Sequence, residues 1–335
     1  MLLLFAILVV LLSIATVAVF SRREEGGTEE AKRRTEGAKK GRWSWLDVDE
    51  DHPTARRGKY ASEPMNQHRD EWCGACYLVA TVQAVQDHMN IRDSSSVRGS
   101  GRGGDRKEDC RVYEFDLQEA LDTFTRLNGA KMRERSREGI QLSSRGGGSL
   151  QSWDGCKGGD PADVLRFLSD GSMKLKLERK SRGLTWASRV GEGSRMDSPH
   201  GHGIRGFRMI EPPRLESIRS SLYERGPIVA AVCSSPLWTL SDKGVVTEDG
   251  QGERDHVVVL LGWEEIDGDV HWIARNSWAD GSGSTSVKKA CPDCSEVRMA
   301  WRTGEDVGCF SFPASESRNS LGLYDSPSGL YEIHV

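Results

Sequence analysis

The sequence predicts an α+β protein, with helices early and strands late. Leu78, Val79, Val82, Val85 and Met89 fall at i, i+1, i+4, i+7 and i+11, one apolar face of a helix over about 77–89. After residue 200 the texture changes. Positions 228–232, 257–261 and 271–275 are short apolar or alternating runs bounded by Gly, Asp and Asn, which read as strands. Helices followed by strands in 335 residues imply an α+β fold or two sub-domains, at roughly 150 residues per domain.

From the amino terminus, Met1 to Phe20 is apolar except for Ser13 and Thr16 and carries no charge. Its length is near the ~20 residues that span a bilayer. It fits an uncleaved transmembrane anchor, or a signal peptide cut after Ala18. Residues 21–42 hold eight Lys/Arg and five Glu with only Ala31 and Ala38 apolar, so they read as a charged, disordered linker. The folded part begins near Trp43. Residues 94–109 are rich in Ser, Gly, Arg and Asp and read as an exposed insertion loop. Leu117, Leu121 and Phe124 suggest a second helix, and Val164, Leu165 and Leu168 a third.

Composition excludes some classes. Lys+Arg 46 against Asp+Glu 50 leaves a net charge of −4, which offers no excess of phosphate-neutralising charge and argues against nucleic-acid binding. Eight Cys in 335 residues are too few for a disulfide miniprotein but enough for a few bridges.

The chemistry centres on three stretches. Asn66-Gln67-His68 leads to Cys73-Gly-Ala-Cys76-Tyr77, which opens the first helix. A thiol at a helix amino terminus faces unpaired N–H groups and the helix dipole, so its pKa is expected to fall, and Cys76 becomes a candidate nucleophile. Taken alone, two Cys at this spacing are more often a bridge or half a metal site. Downstream, Asp255-His256 begins an apolar strand, and Asn276-Ser277-Trp278 follows another. An imidazole at a strand end can take the thiol proton, and an Asn carboxamide can hold its second nitrogen.

With these residues in hand, the chain resembles the papain-like cysteine peptidase family. Cys73-Gly-Ala-Cys76-Tyr77 resembles its nucleophile motif. Gly155-Cys156-Lys-Gly158-Gly159 is similar to its Gly-Cys-x-Gly-Gly segment, Gly226-Pro227-Ile228 to its Gly-Pro strand start, and Asn276-Ser277-Trp278 to its Asn-Ser-Trp. The resemblance implies a two-lobed fold, a helical lobe over about 70–195 and a β-barrel-like lobe over about 200–335, with the active-site cleft between them. The whole of 43–335 would be the peptidase domain. It also implies roles: Cys76 as nucleophile, His256 as base, Asn276 as its orienter, Gln67 in the oxyanion hole, and Trp278 shielding the His–Asn contact. Gly158 and Gly159 would let substrate backbone approach, Asp160 could line the substrate cleft, and Cys73 and Cys156 would form a disulfide. Neither cofactor nor metal is implied, and the partner is a peptide or protein substrate.

Gln67 lies nine residues before Cys76 rather than six, and the extension begins with His68. This resembles the cathepsin X (cathepsin Z) branch, as do Trp43-Ser-Trp45 and the twenty residues from His256 to Asn276. That branch implies carboxypeptidase action, with His68 binding the substrate carboxylate. The alternatives are an endopeptidase and an inactive peptidase-like binding protein. Residues 279–286 motivate the last, because they lack the second Trp usual after Asn-Ser-Trp. Cys291-Pro-Asp-Cys294 could be a bridged loop, a redox pair or half a zinc site, and Cys110, Cys233 and Cys309 have no assigned partner. The basic excess after residue 20 favours a cytoplasmic carboxy-terminal side. A bridged fold fits export better. The expected location is therefore a membrane-anchored lumenal or extracellular domain, or a secreted or endolysosomal enzyme if 1–20 is cleaved.

Overall fold

Helix α1, Cys76–Ser94, is the hub of the fold. It packs against two further helices, α2 (Leu117–Arg137) and α3 (Pro161–Ser169), and against the sheet. The computed structural model describes residues 41–48, 52, 55–67, 73–94, 108–137, 155–177, 201–241, 243–250, 252–278 and 308–335. Arg42–Val335 form one compact unit.

The strands are β1 (Arg42–Ser44), β2 (Gly58–Lys59), β3 (Glu108–Asp109), β4 (Gly206–Met209), β5 (Ile228–Val232), β6 (His256–Ile266), β7 (Asp269–Arg275), β8 (Cys309–Pro313) and β9 (Leu330–His334). A fourth helix, α4, spans Leu215–Arg225, and a short 3-10 turn spans Ser235–Thr239. The large sheet runs β4-β9-β5-β6-β7-β8, and β1 joins the edge of β6 that β5 leaves. Every pairing in it is antiparallel. β2 and β3 form a separate parallel pair.

Local chemistry explains the elements. Asp160 caps α3, its carboxylate accepting from the Ala162 N–H at 2.8 Å, and Pro161 occupies the first helical position, where its missing N–H costs nothing. β5 and the start of β6 are buried on both faces, so they read as unbroken Val, Ile, Leu and Ala. The register of β6 shifts between Leu260 and Gly262. Gly262 is there because β1 crosses it closely: a Cβ would lie 2.6 Å from Ser44 Cα. Trp43 then stacks on Trp263 at 4.8 Å, and Trp45 Nε1 donates to Leu222 O at 2.8 Å.

One core joins Leu78, Val82 and Val85 of α1 to Leu121 and Phe124 of α2, Val164 and Leu168 of α3, and Val257, Val259 and Ile333 of the sheet. A second, smaller cluster around Trp45, Val48 and Tyr60 holds the amino-terminal segment.

The structure departs from the sequence reading at several places. α1 runs five residues past Met89 and is buried on all sides rather than along one stripe. α2 and α3 occur where expected, whereas α4 lies in a region that reads as strands. The proposed insertion loop ends in β3, because the Glu108–Asp109 backbone pairs with Gly58–Lys59. His202 pairs with Leu175 through the backbone, and its ring lies against Tyr113 and Phe115, which gives it a packing role. Residues 1–20, most of 21–42 and of 94–109, and His68, His200, 279–286, Cys291 and Cys294 lie outside the described residues. Among the described residues, no helix is long and apolar enough to cross a membrane, and no cluster could hold a metal.

Candidate active site

The antiparallel hairpin of β6 and β7 brings two distant residues to one end. His256 is the first residue of β6, and Asn276 directly follows the last residue of β7. His256 Nε2 donates to Asn276 Oδ1 at 2.7 Å, with both side chains buried. That bond commits Nε2 and leaves Nδ1 as the nitrogen available for proton transfer. Asn276 Oδ1 also accepts from the Ser277 N–H at 2.8 Å, and the Asn276 N–H donates to Gly308 O at 3.1 Å. The carboxamide oxygen is therefore held from its own turn, and the backbone of Asn276 is held by the residue just before β8.

Trp278 covers this pair. Its ring lies 4.4 Å from that of His256, tilted by 35°. Trp238, on the 3-10 turn, also stacks on Trp278, at 4.7 Å and 30°.

Gln67 is tied to both sides of the site. Its N–H donates to Ser277 O at 2.7 Å, and its Nε2 donates to Cys73 O at 2.7 Å. Its Oε1 accepts from the Ser277 hydroxyl. The backbone bridge between Asn66 and Trp278 sets this register. Gln67 is thereby held between the leader of α1 and the Asn276-Ser277-Trp278 turn.

Cys76 opens α1, and its sulfur faces the backbone N–H groups of Val257 and Tyr77. Val257 is the residue after His256, so the thiol lies against the first residues of β6. The expectation of a lowered thiol pKa does not hold in this geometry. Burial pushes Cys76 up to about 11, outweighing the N–H groups that favour the thiolate. Burial likewise pushes His256 down to about 4, against the Asn276 hydrogen bond and the Asp255 charge that favour the imidazolium. Thiol and imidazole are both neutral between these values. The helix dipole at α1 does not overcome desolvation here, because α1 is buried on all sides.

Cys73 and Cys156 are joined by a disulfide across 83 residues. The Gly74 N–H donates to Cys156 O at 2.7 Å, and a Cβ on Gly74 would lie 2.8 Å from that oxygen. This contact anchors the 155–160 segment beside the start of α1. Gly158 has a φ of +84°, a conformation that glycine adopts freely, and a Cβ there would meet open space. Gly159 differs: a Cβ would lie 2.7 Å from the Tyr77 ring, so close packing already requires a glycine. The Asp160 carboxylate is engaged as the cap of α3. Among the described residues, Cys76, Cys110, Cys233 and Cys309 are buried and form no disulfide.

Three participants were not legible as site residues. Ser277 sits inside a quoted motif, yet only the fold shows it bonding to Gln67 through both backbone and hydroxyl. Asp255 holds the 3-10 turn, its carboxylate accepting from Ser234 N at 2.8 Å and Ser234 Oγ at 3.0 Å. Trp238 lies in a segment without periodicity, and an exposed-looking Pro-Leu-Trp carries no signal of its partner 40 residues away.

A buried imidazole oriented by a carboxamide, with a thiol at the end of the adjoining helix, is an arrangement suited to thiol chemistry. The family model described as papain family cysteine protease matches residues 123–295, just over half of the chain and including His256 and Asn276. The chain belongs to the papain family of cysteine proteases.

It is 21% identical to cathepsin Z of Onchocerca volvulus over 246 residues, covering 70% of this chain and 65% of that protein. It is 26% identical to human cathepsin O over 132 residues, 38% of this chain and 40% of that one. A cysteine protease of Blomia tropicalis is 22% identical over 219 residues, covering 63% and 53% respectively. The chain thus spans less than two thirds of these relatives' own lengths. A solved structure from a study of antibody cross-reactivity between the mite allergens Blo t 1 and Der p 1 matches with a TM-score of 0.54 at 18% identity. That match covers 89% of this chain and 71% of that one, and shows the papain-like α+β fold.

Proposed function

We propose that this protein hydrolyses peptide bonds in peptide or protein substrates through Cys76, His256 and Asn276. The observation that carries the reading is the buried 2.7 Å bond from His256 Nε2 to Asn276 Oδ1, which directs the second ring nitrogen to thiol chemistry. Cys76 Sγ attacks the carbonyl carbon while its proton passes to His256. The tetrahedral oxyanion takes hydrogen bonds from Gln67 and the Cys76 N–H, each donor contributing roughly 3–4 kcal/mol. Collapse to a thioester expels the amine, which takes the proton from His256. Water, deprotonated by His256, then frees the acid and restores the thiol. Trp278 keeps water from the His–Asn contact. Gly158 and Gly159 border the substrate backbone, and Asp160 lies at the rim beside them.

Within that chemistry, we favour carboxypeptidase action, with the His68 cation holding a terminal carboxylate. The unit over 43–335 acts as the peptidase, with a helical part over about 70–195 and a β part over about 200–335. Its site is secreted or endolysosomal, or membrane-tethered where residues 1–20 are retained.

A thiol-directed epoxide tests the reading. Peptide mapping should find Cys76 alkylated under reducing, mildly acidic conditions, and His256→Ala should abolish the labelling. No alkylation of Cys76 in the intact protein would favour the binding-protein alternative. A peptide substrate and its carboxy-terminal amide separate the modes: equal cleavage of both refutes carboxypeptidase action.

A further inference from the structure

The 3-10 turn Ser235–Thr239 belongs to no motif, yet it is tied closely to the site. Leu237 is buried, and its N–H donates to Ser234 O at 2.9 Å. Ser234 in turn gives two hydrogen bonds to Asp255, the residue before His256. The Asp255 N–H closes the clasp on Val232 O at 3.0 Å. This framework holds Trp238, itself half-buried, stacked on Trp278.

The result is three rings in series: Trp238, Trp278 and His256, with centroids separated by 4.7 Å and then 4.4 Å. Trp278 is only 4% exposed although it lies at the last described residue before 279. Trp238 is one of the rings packed against it. Without it, Trp278 would lose that stacking contact, and the ring tilted over His256 would lose that part of its backing. A hydrogen bond such as His256–Asn276 weakens when water reaches it, because the local dielectric rises.

We propose that Trp238 is a positioning residue for peptide hydrolysis, the outer plate of a ring stack that keeps His256 oriented and dry. This rests on the reading of His256 as the base. Among the described residues, the titratable groups around His256 are Asp255 before it and the Cys76 thiol on α1. Its β5 neighbour, Val232, and its covering ring, Trp278, carry no charge. Removing Trp238 leaves both titratable groups in place and changes only desolvation. Burial is the largest influence on the imidazole and lowers its pKa, so admitting water moves that pKa back up.

The test compares wild type with Trp238→Ala and Trp238→Phe, following Cys76 alkylation and peptide hydrolysis from about pH 3 to about pH 8. In Trp238→Ala the acid limb should move to higher pH by about one unit, with hydrolysis at mildly acidic pH falling roughly tenfold or more. Trp238→Phe, which keeps an aromatic face, should return the limb most of the way to wild type. An unmoved acid limb in Trp238→Ala overturns the proposal, whatever the loss of rate. So does a displacement that Phe leaves uncorrected. If Trp238→Ala fails to fold, Trp238→Phe is read against Trp238→Leu, and equal limbs in those two overturn it. A wild type that neither alkylates nor hydrolyses instead refutes the parent reading.

Discussion

Asp87 and Arg275 offer the sharpest test of how the two halves of the site are held together. Asp87 lies on α1, eleven residues past Cys76, and Arg275 immediately precedes Asn276. Both are fully buried. Arg275 Nη2 donates to Asp87 Oδ2 at 2.9 Å, and its Nη1 donates to Ser62 O at 2.9 Å and Ser62 Oγ at 3.1 Å. Asp87 Oδ1 accepts from both the N–H and the hydroxyl of Ser62 at 2.6 Å. Asp87→Ala therefore removes the acceptor of three hydrogen bonds. It also strands a guanidinium whose Nε has no hydrogen-bond partner among the described residues. Removing one partner of a buried ion pair costs about 3–5 kcal/mol, whereas replacing both with apolar groups of similar volume is often neutral. The assay is urea unfolding near pH 7, comparing midpoints at constant slope. Asp87→Ala should lose about 3–5 kcal/mol, a fall in Tm on the order of 10 °C. Asp87→Leu combined with Arg275→Met should recover most of it. A loss below about 1 kcal/mol in the single variant, or additive losses in the double, would refute the reasoning.

Other outcomes follow from the same contacts. The Cys73–Cys156 bridge closes an 83-residue separation, so replacing both cysteines by Ser should destabilise by about 4–5 kcal/mol on chain-entropy grounds, read by denaturant titration under non-reducing conditions. Glu332 gives a pH dependence. Burial alone would raise its pKa, but hydrogen bonds from Arg208 and Ser221 and the charge of Arg225 prevail and hold it below the usual value. Its stabilising contribution is therefore present above the unfolded carboxylate pKa of about 4.3 and lost as pH falls through the lower folded value. Stability measured between about pH 6 and about pH 3 should drop more in wild type than in Glu332→Gln, and parallel curves would contradict this.

Much of the candidate site can be read from the chain, because its motif residues are contiguous. Cys73-Gly-Ala-Cys76, Gly155-Cys156 and Asn276-Ser277-Trp278 announce their chemistry locally. The surroundings could not, because their partners are far away in sequence. α1 shows why. Its apolar residues mark one stripe, which suggests that Gln83, Gln86, Asp87, His88 and Asn90 face water. All five are buried instead. Gln83 donates to Glu63 O at 2.7 Å, and Gln86 accepts from the Phe115 N–H at 3.1 Å. His88 Nε2 donates to Pro227 O at 2.8 Å, and Asn90 Nδ2 donates to Tyr60 O at 3.1 Å. Periodicity detects an apolar stripe but cannot tell a solvated polar stripe from one satisfied by other segments. The thiol shows the same limit: the helix terminus is visible in the sequence, whereas the burial that pushes the thiol pKa up is not. Gly159 and Asp160 read as substrate contacts, yet local packing already accounts for the glycine and helix capping for the carboxylate.

The all-round burial of α1 also bears on motion. A helix clasped by two others and by a sheet has no face along which to peel away, so its amides between Val79 and Val85 exchange with solvent only when the entire body opens. Residue 76 rides on the first turn of that element. The sulfur is thus mounted on an element packed on every side, and adjustment to admit a ligand falls first to the rings and loops facing it.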